Sequence, residues 1–319
     1  MSARDPRFAG ALAKAVRGEV KRDASLARYS TYRIGGPATV FLPASAEDVT
    51  VALRAARDAG VQVFPLGLGS NVLLPDAGLD ALVLRLGKGL DAIRNDADRW
   101  WLGAGLPAPL AARKTAEQGW AGLHMMVGVP GSVGGGVFMN AGCHGGQWAD
   151  VTTAVTVADR AGELRIIPAG DIQFTYRRSG LEGMLILEAE VRLRRGEPKE
   201  LSAEVQRLFA WRQQGTPFNQ PCCGSVFKNP EPPAPPGWSR AWTAGSLLEA
   251  AGLKGTRVGG AEISSLHANY FVNTGTATSR DVRELIANAA ARIRERFGVT
   301  LETEVKLIGN NGEYETLPR

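Results

Sequence analysis

At 319 residues, 44% hydrophobic and 22% charged, the chain falls outside the compositions of disordered and fibrous proteins. It is long enough for two or three domains whose cores need no disulfide. Its formal charge of +5 comes from Lys and Arg scattered among Asp and Glu, with no long like-charge run, so anionic small molecules account for the excess as well as a nucleic-acid partner would.

Cys143, Cys222 and Cys223 are odd in number, two of them adjacent, and form no CxxC pair. That pattern excludes a secreted disulfide framework and a cysteine metal site, and it points to a reducing compartment. The opening stretch MSARDPRFAGALAKAVRGEVKRD is charged throughout and lacks the apolar core of a signal peptide. No segment reaches the ~18 consecutive apolar residues of a membrane span. A cytoplasmic protein without metal, membrane or nucleic-acid partner is the expectation.

Residues 45–60 read as a helix. Ser45 is the N-cap, Glu47 and Asp48 lie in the first turn, Val49, Leu53 and Ala56 form the apolar stripe, and Gly60 is the stop. VQVFPLG follows as a strand, then a GLGSN loop and a strand around NVLL, giving a βαβ-like unit. LVLRL and WWLGAG read as strands and 107–118 as a helix. VTTAVTVADRAGELRIIP reads as a hairpin turning at Arg160-Ala161-Gly162, and LILEAEVRLRR alternates as one further strand. The third part has a helix over 201–214, a proline-rich surface loop at 230–237 and a short helix AGSLLEAAG ended by Gly252. HANYFVN is a strand. TSRDVRELIANAAARIRERFG is the strongest helix, with Val282, Leu285, Ile286, Ala289, Ile293 and Phe297 on one face. LETEVKLIG closes as a strand, with Glu302, Glu304 and Lys306 facing away from Leu301, Thr303, Val305 and Leu307. No internal repeat is visible.

Gln118–Ala149 contains no Asp, Glu, Lys or Arg, yet it is too rich in Gly, Asn, Gln and His for a membrane helix. It holds GVPGSVGGGVFMNAGCHGG (128–146), which with GLGSN (67–71) makes two glycine-rich loops. Neither fits the P-loop, which needs a Lys after the glycines, nor the Rossmann fingerprint with its acidic residue. Backbone N–H groups at a turn or helix start can hold a diphosphate without a cation, and glycine permits the close approach. Tight turns between packed strands are the alternative reading of the same residues.

TYRIGGPA (31–38), PLGLGSN (65–71) and the second glycine loop together resemble the flavin fold of the vanillyl-alcohol oxidase superfamily. FTYRRSG (174–180), CGSVFKNP (223–230), AGLKGTRVGGAEIS (251–264), HANYFVN and LETEV narrow the resemblance to the UDP-N-acetylenolpyruvoylglucosamine reductase family, in its shorter subtype, over about residues 20 to 310. The resemblance implies an α+β fold, a two-part FAD-binding region with a smaller α/β substrate-binding domain. The expected boundaries are 1–20 for an N-terminal helical extension, 21–80 and 81–197 for the FAD-binding subdomains, and 198–319 for the substrate-binding domain. It also implies noncovalent FAD, NADPH as electron donor, and an enolpyruvyl ether of UDP-N-acetylglucosamine as substrate; a monomer is the expectation. Another flavin oxidase or dehydrogenase of the superfamily is the alternative.

Hydride addition to an enolpyruvyl ether builds negative charge toward the substrate carboxylate, so fixed cations and donors are required there. The resemblance assigns this work to Arg177, with Arg178 as its neighbour and rival, and to Glu304. It makes Ser225 the proton donor. It places FAD on Gly67, Gly69, Ser70, Asn71, Val129, Pro130, Gly131, Ser132, Gly135, Asn140 and Gly142. Substrate contacts fall to Arg212, Lys228, Asn229, Lys254 and His267. His124 and His144 flank the second loop but tether no flavin in this family, and the cysteines are small packing residues.

Overall fold

The computed structural model describes residues 1–316 and divides into two compact units built from discontinuous segments. The first comprises 1–24, 38–68 and 80–212; the second comprises 25–37, 69–79 and the chain from Gln213. Helices and strands are mixed in both.

In the first unit, helix α1 (Pro6–Ala15) begins where the Asp5 carboxylate accepts the Arg7 N–H, and it buries Phe8, Ala9 and Leu12. Helix α2 (Ala46–Asp58) starts as the sequence predicts, with Ser45 Oγ accepting the Asp48 N–H at 3.3 Å. Asp48, only 3% exposed, accepts the N–H groups of Arg17, Gly18 and Ala44, tying the segment after α1 to the helix start. A four-stranded sheet runs in the order Glu19–Ser25, Pro37–Leu42, Leu82–Arg85, Val63–Leu66, and its last three strands are parallel. The βαβ expectation is thus altered: Leu82–Arg85, not NVLL, pairs with the VFPL strand. A second, antiparallel sheet has the order Leu164–Pro168, Thr152–Ala158, Leu185–Arg192, Arg99–Gly103, Ile93–Asp96. It contains the expected hairpin, while LILEAEVRLRR splits, with Arg194–Arg195 pairing instead with Trp120–Ala121. Trp100 and Trp148 are fully buried in this core. Helices α3 (Ala108–Glu117), α4 (Val133–Phe138) and α5 (Pro198–Gly215) complete it.

The second unit has its own core. Its antiparallel sheet runs Cys222–Ser225, Tyr270–Asn273, Ala261–Ile263, Arg257–Val258. Helix α6 (Ala244–Ala250) and helix α7 (Ser279–Phe297) belong here. In α7 a reciprocal Thr278–Asp281 capping box opens the helix, Gly298 at φ 67° closes it, and the predicted stripe is buried from Val282 to Ile293, with Phe297 at its end half-buried. Two expected strands are shorter than the sequence suggests. HANYFVN is extended only over Tyr270–Asn273, and LETEVKLIG only over Lys306–Ile308, which pairs in parallel with Val72–Leu73. Glu304 therefore lies in a bend before the strand, although the alternating burial of Leu301, Val305 and Leu307 is retained. Among the described residues no helix is long and apolar enough to cross a membrane, and no group of three or more His, Cys, Asp or Glu could hold a metal.

Candidate active site

The second glycine loop is stitched to its own unit by the start of α4. Ser132 caps the helix, and the N–H groups of Val133, Gly134, Gly135 and Gly136 donate to Leu106 O, Ala104 O, Ser132 Oγ and Ser132 O. These N–H groups are occupied, so the triple glycine serves packing. A Cβ on Gly134 would fall 2.8 Å from Ala104 Cβ, and one on Gly136 would fall 2.3 Å from Trp148 Nε1. The two glycine loops meet within this unit, since a Cβ on Gly67 would lie 2.4 Å from Ser132 Oγ. What remains outward is the exposed Pro130 and Gly135, with Val129 and Gly131 half-buried beside them. An uncharged, glycine-rich surface beside the Gly67–Ser132 approach fits a dinucleotide such as FAD.

Asn140 is 1% exposed with φ 40°, and its amide is committed inward. Nδ2 donates to Gln147 Oε1 and Thr175 O, and Oδ1 accepts the Ala149 N–H. Its bond to Thr175 anchors the turn that carries Arg177. That turn closes through paired Thr175–Arg178 backbone bonds and holds Arg177 at φ 59°, a left-handed conformation that costs a non-glycine residue on the order of 1–2 kcal/mol. The Arg177 guanidinium donates to Gly142 O at 3.4 Å, whereas Arg178 pairs with Glu182 at the exposed surface. The strained, inward-turned member of the pair is thus Arg177.

His144, at φ 53°, stacks edge-on with Trp211 at 5.2 Å. Burial, then Arg212 and Arg207, push its pKa down. Burial likewise lowers His124, whose Nδ1 accepts the Gly122 N–H. Burial raises the Cys143 thiol, opposed by Arg212 and Arg177. Arg212 packs beside Gly128.

In the second unit, Gly224 at φ 70° makes a bulge in the Cys222–Ser225 strand and redirects Ser225, which lies opposite Tyr270. Beyond it, the Glu304 and Val305 N–H groups both donate to Val226 O, at 2.7 and 3.3 Å, and Phe227 bridges Thr303. Ser225 and Glu304 are therefore joined through one residue. Asn71, expected to touch FAD, clamps the Glu304 backbone: its Nδ2 donates to Glu304 O at 3.2 Å, and its own carbonyl accepts the Lys306 N–H. Gly69 is pressed on Tyr29 O, and Ser70 lies between Gly69 and Asn71 in the chain.

Lys228 pairs with Glu302 at 3.0 Å, Lys254 with Glu249 at 3.0 Å, and Asn229 Oδ1 accepts the Ala244 N–H at the start of α6. His267 Nδ1 accepts the Asn269 N–H, so in the neutral ring Nε2 carries the proton and is a donor. Cys223 donates to Val72 O at 3.0 Å, and burial pushes its thiol up to about 12, which suits a packing role. Sequence reasoning missed Asn269. Its one sequence signal is an amide one residue before a strand.

Residues 216–308 match the family model described as "UDP-N-acetylenolpyruvoylglucosamine reductase, C-terminal domain", and residues 37–167 match "FAD binding domain". The chain is 40% identical over 295 residues to a UDP-N-acetylenolpyruvoylglucosamine reductase of Halalkalibacterium halodurans, covering 92% of this chain and 95% of that protein. It is 40% identical over 301 residues to the one of Caulobacter vibrioides, covering 93% and 97%. The crystal structure of the Thermus caldophilus reductase superposes with a TM-score of 0.76 at 33% identity, covering 91% of this chain and 99% of that one.

Proposed function

Because this chain belongs to the UDP-N-acetylenolpyruvoylglucosamine reductase family, we infer that it reduces the enolpyruvyl ether of UDP-N-acetylglucosamine to UDP-N-acetylmuramate, a step toward peptidoglycan precursors, with FAD as cofactor and NADPH as donor. The observation that carries this reading is that likeness at about 40% identity runs over more than nine-tenths of both chains, and that Ser225, Lys228, Lys254, His267 and Glu304 all lie inside the matched 216–308 segment.

Bound FAD, once reduced by NADPH, would supply the hydride. Gly67, Val129–Gly131, Ser132 and Gly135 would hold it on their uncharged backbone surface, with Gly69, Ser70 and Asn71 as the neighbouring turn. Arg177 steadies the substrate carboxylate with paired donors as charge builds there, which a guanidinium does better than an ammonium. Glu304 polarises the same group. Ser225 gives its hydroxyl proton to the carbon beside the carboxylate; as a weak acid it depends on being held in register. Lys228, Asn229 and Lys254 take the diphosphate, and the two lysines exchange their present carboxylate partners for it. His267 Nε2 donates to the substrate carboxylate, and Arg212 is assigned to the substrate side of the second loop. By role we assign an extension at 1–20, FAD-binding subdomains at 21–80 and 81–197, and a substrate domain at 198–319, a division that cuts across the two compact units, which exchange segments 25–37, 69–79 and 198–212 relative to it. We place the enzyme in the cytoplasm as a monomer serving cell-wall biogenesis, cell shape and division.

The test is an absorbance spectrum of the purified protein, followed by anaerobic NADPH and then the enolpyruvyl UDP-sugar. Flavin bands that bleach with NADPH and return with the UDP-sugar are expected. A flavin that bleaches but ignores the UDP-sugar would discard the substrate, and a protein that cannot be loaded with FAD would discard the whole reading.

A further inference from the structure

The ladder between Cys222–Ser225 and Tyr270–Asn273 ends at the Ser225–Tyr270 pair. Beyond it, the chain before Tyr270 turns away: the Tyr270 N–H donates to His267 O at 2.9 Å, and the Asn269 N–H donates to His267 Nδ1 at 3.1 Å. Regular pairing is lost there, yet Val226 and Phe227 stay fully bonded. The Val226 N–H donates to Asn269 O at 2.8 Å. The Phe227 N–H donates to Asn269 Oδ1 at 2.9 Å, and Asn269 Nδ2 donates to Phe227 O at 2.8 Å. A primary amide has the donor and acceptor of a peptide group, so this side chain continues the ladder where the backbone cannot. The other edge of the same segment carries Glu304: Lys228 N–H donates to Glu302 O, and the Glu304 N–H donates to Val226 O. Residues 226–228 are the middle of three segments, with Asn269 on one side and Glu304 on the other.

We propose that Asn269 is the positioning residue that holds Ser225 and Glu304 in one frame, an assignment that rests on the reductase reading above. Asn269 is 3% exposed, so removing its amide leaves the N–H and C=O of Phe227 without protein partners and away from bulk water. The Phe227 ring, 1% exposed and edge-on to Phe271 at 6.0 Å, keeps the segment attached. The consequence is a loss of register rather than of fold. A displacement of about 1 Å in a reacting group costs on the order of 100-fold in rate.

Asn269→Ala and Asn269→Asp, made in the FAD-loaded protein, test the clamp. Both should retain the flavin spectrum and bleach with NADPH within about twofold of the parent rate, while reoxidation by the enolpyruvyl UDP-sugar slows about 100-fold at pH 8. Lowering the pH should restore reoxidation in Asn269→Asp alone. A protonated carboxyl offers an O–H to Phe227 O and a C=O to the Phe227 N–H, and burial raises the pKa at which it forms. The other ionisable groups on the segments paired around Asn269 are His267, Tyr270, Lys228, Glu302 and Glu304, so the parent profile is the baseline. Amide hydrogen exchange at 226–228 and 302–306 should quicken about 10-fold in Asn269→Ala, a readout that needs no substrate. Unchanged reoxidation in Asn269→Ala, equal slowing of both half-reactions, or an Asn269→Asp profile parallel to the parent would each overturn the proposal. If the parent itself ignores the UDP-sugar, the reductase reading fails, and exchange alone decides the clamp: unchanged protection overturns it.

Discussion

At the scale of single residues, the candidate catalytic groups sit where the backbone is least ordinary. Arg177 occupies a left-handed turn position, Ser225 follows a positive-φ glycine bulge, and Glu304 stands in a bend. Such placements aim a side chain at the expense of local stability. Ser225→Ala should leave flavin reduction by NADPH within about twofold and slow reoxidation by the UDP-sugar by about 10²–10⁴, the range for loss of a general acid. Normal steady-state turnover in that variant would remove its acid role. Glu304→Gln should keep FAD bound and lower kcat, because its backbone bonds to Val226 and Asn71 do not use the carboxylate. Flavin loss on gel filtration would instead make Glu304 structural. His267 was readable as a substrate contact only through resemblance; the tautomer that makes it a donor came from the Asn269 N–H.

Among the elements, the start of α2 carries a pH dependence. Burial would raise the Asp48 pKa, but backbone N–H groups of Arg17, Ala44 and Gly18, with the Arg17 charge, outweigh it and hold the carboxyl below its usual range. The unfolded value is about 3.9, so this stabilisation is complete above that pH and is lost as pH falls through the lower folded value. Asp48→Asn, which puts an NH₂ among three donors, should lower stability by about 2–3 kcal/mol at pH 7 and progressively less below about pH 4. Urea melts at the two pH values check this, and a constant difference would show that the charge is not the cause. The Ser45 cap and the α7 stripe were legible because they are local and periodic. The ends of the HANYFVN and LETEVKLIG strands were not. Asn269 bonds through its side-chain amide and Glu302–Glu304 through a single bridge to 226–228, so alternation continues after the regular strand has stopped.

For the molecule as a whole, two cores assembled from interleaved segments imply that no cut at a single point separates them. FAD should bind noncovalently: acid precipitation is expected to release all flavin into the supernatant, and colour left in the pellet would contradict it. Adding FAD to stripped protein at about 100 times its Kd should stabilise the fold by about 2.7 kcal/mol and raise Tm, since only the folded chain offers the Gly67–Ser132 surface. A Tm indifferent to FAD would show that the folded chain does not bind it. The sequence by itself determined the family, the α+β class, the longer helices with the Ser45 cap, and the two glycine loops. These are written in short motifs and in spacings of a few residues. Only the tertiary structure decided that the GGG run serves packing on Ala104 and Trp148, that Asn71 clamps Glu304 from 233 positions away, and that Asn269 completes the strand after Ser225 from 42 positions away. An amide looks the same in sequence whether it faces a ligand or a peptide. Its partner is fixed only when burial leaves a backbone N–H or C=O that nothing nearer can satisfy.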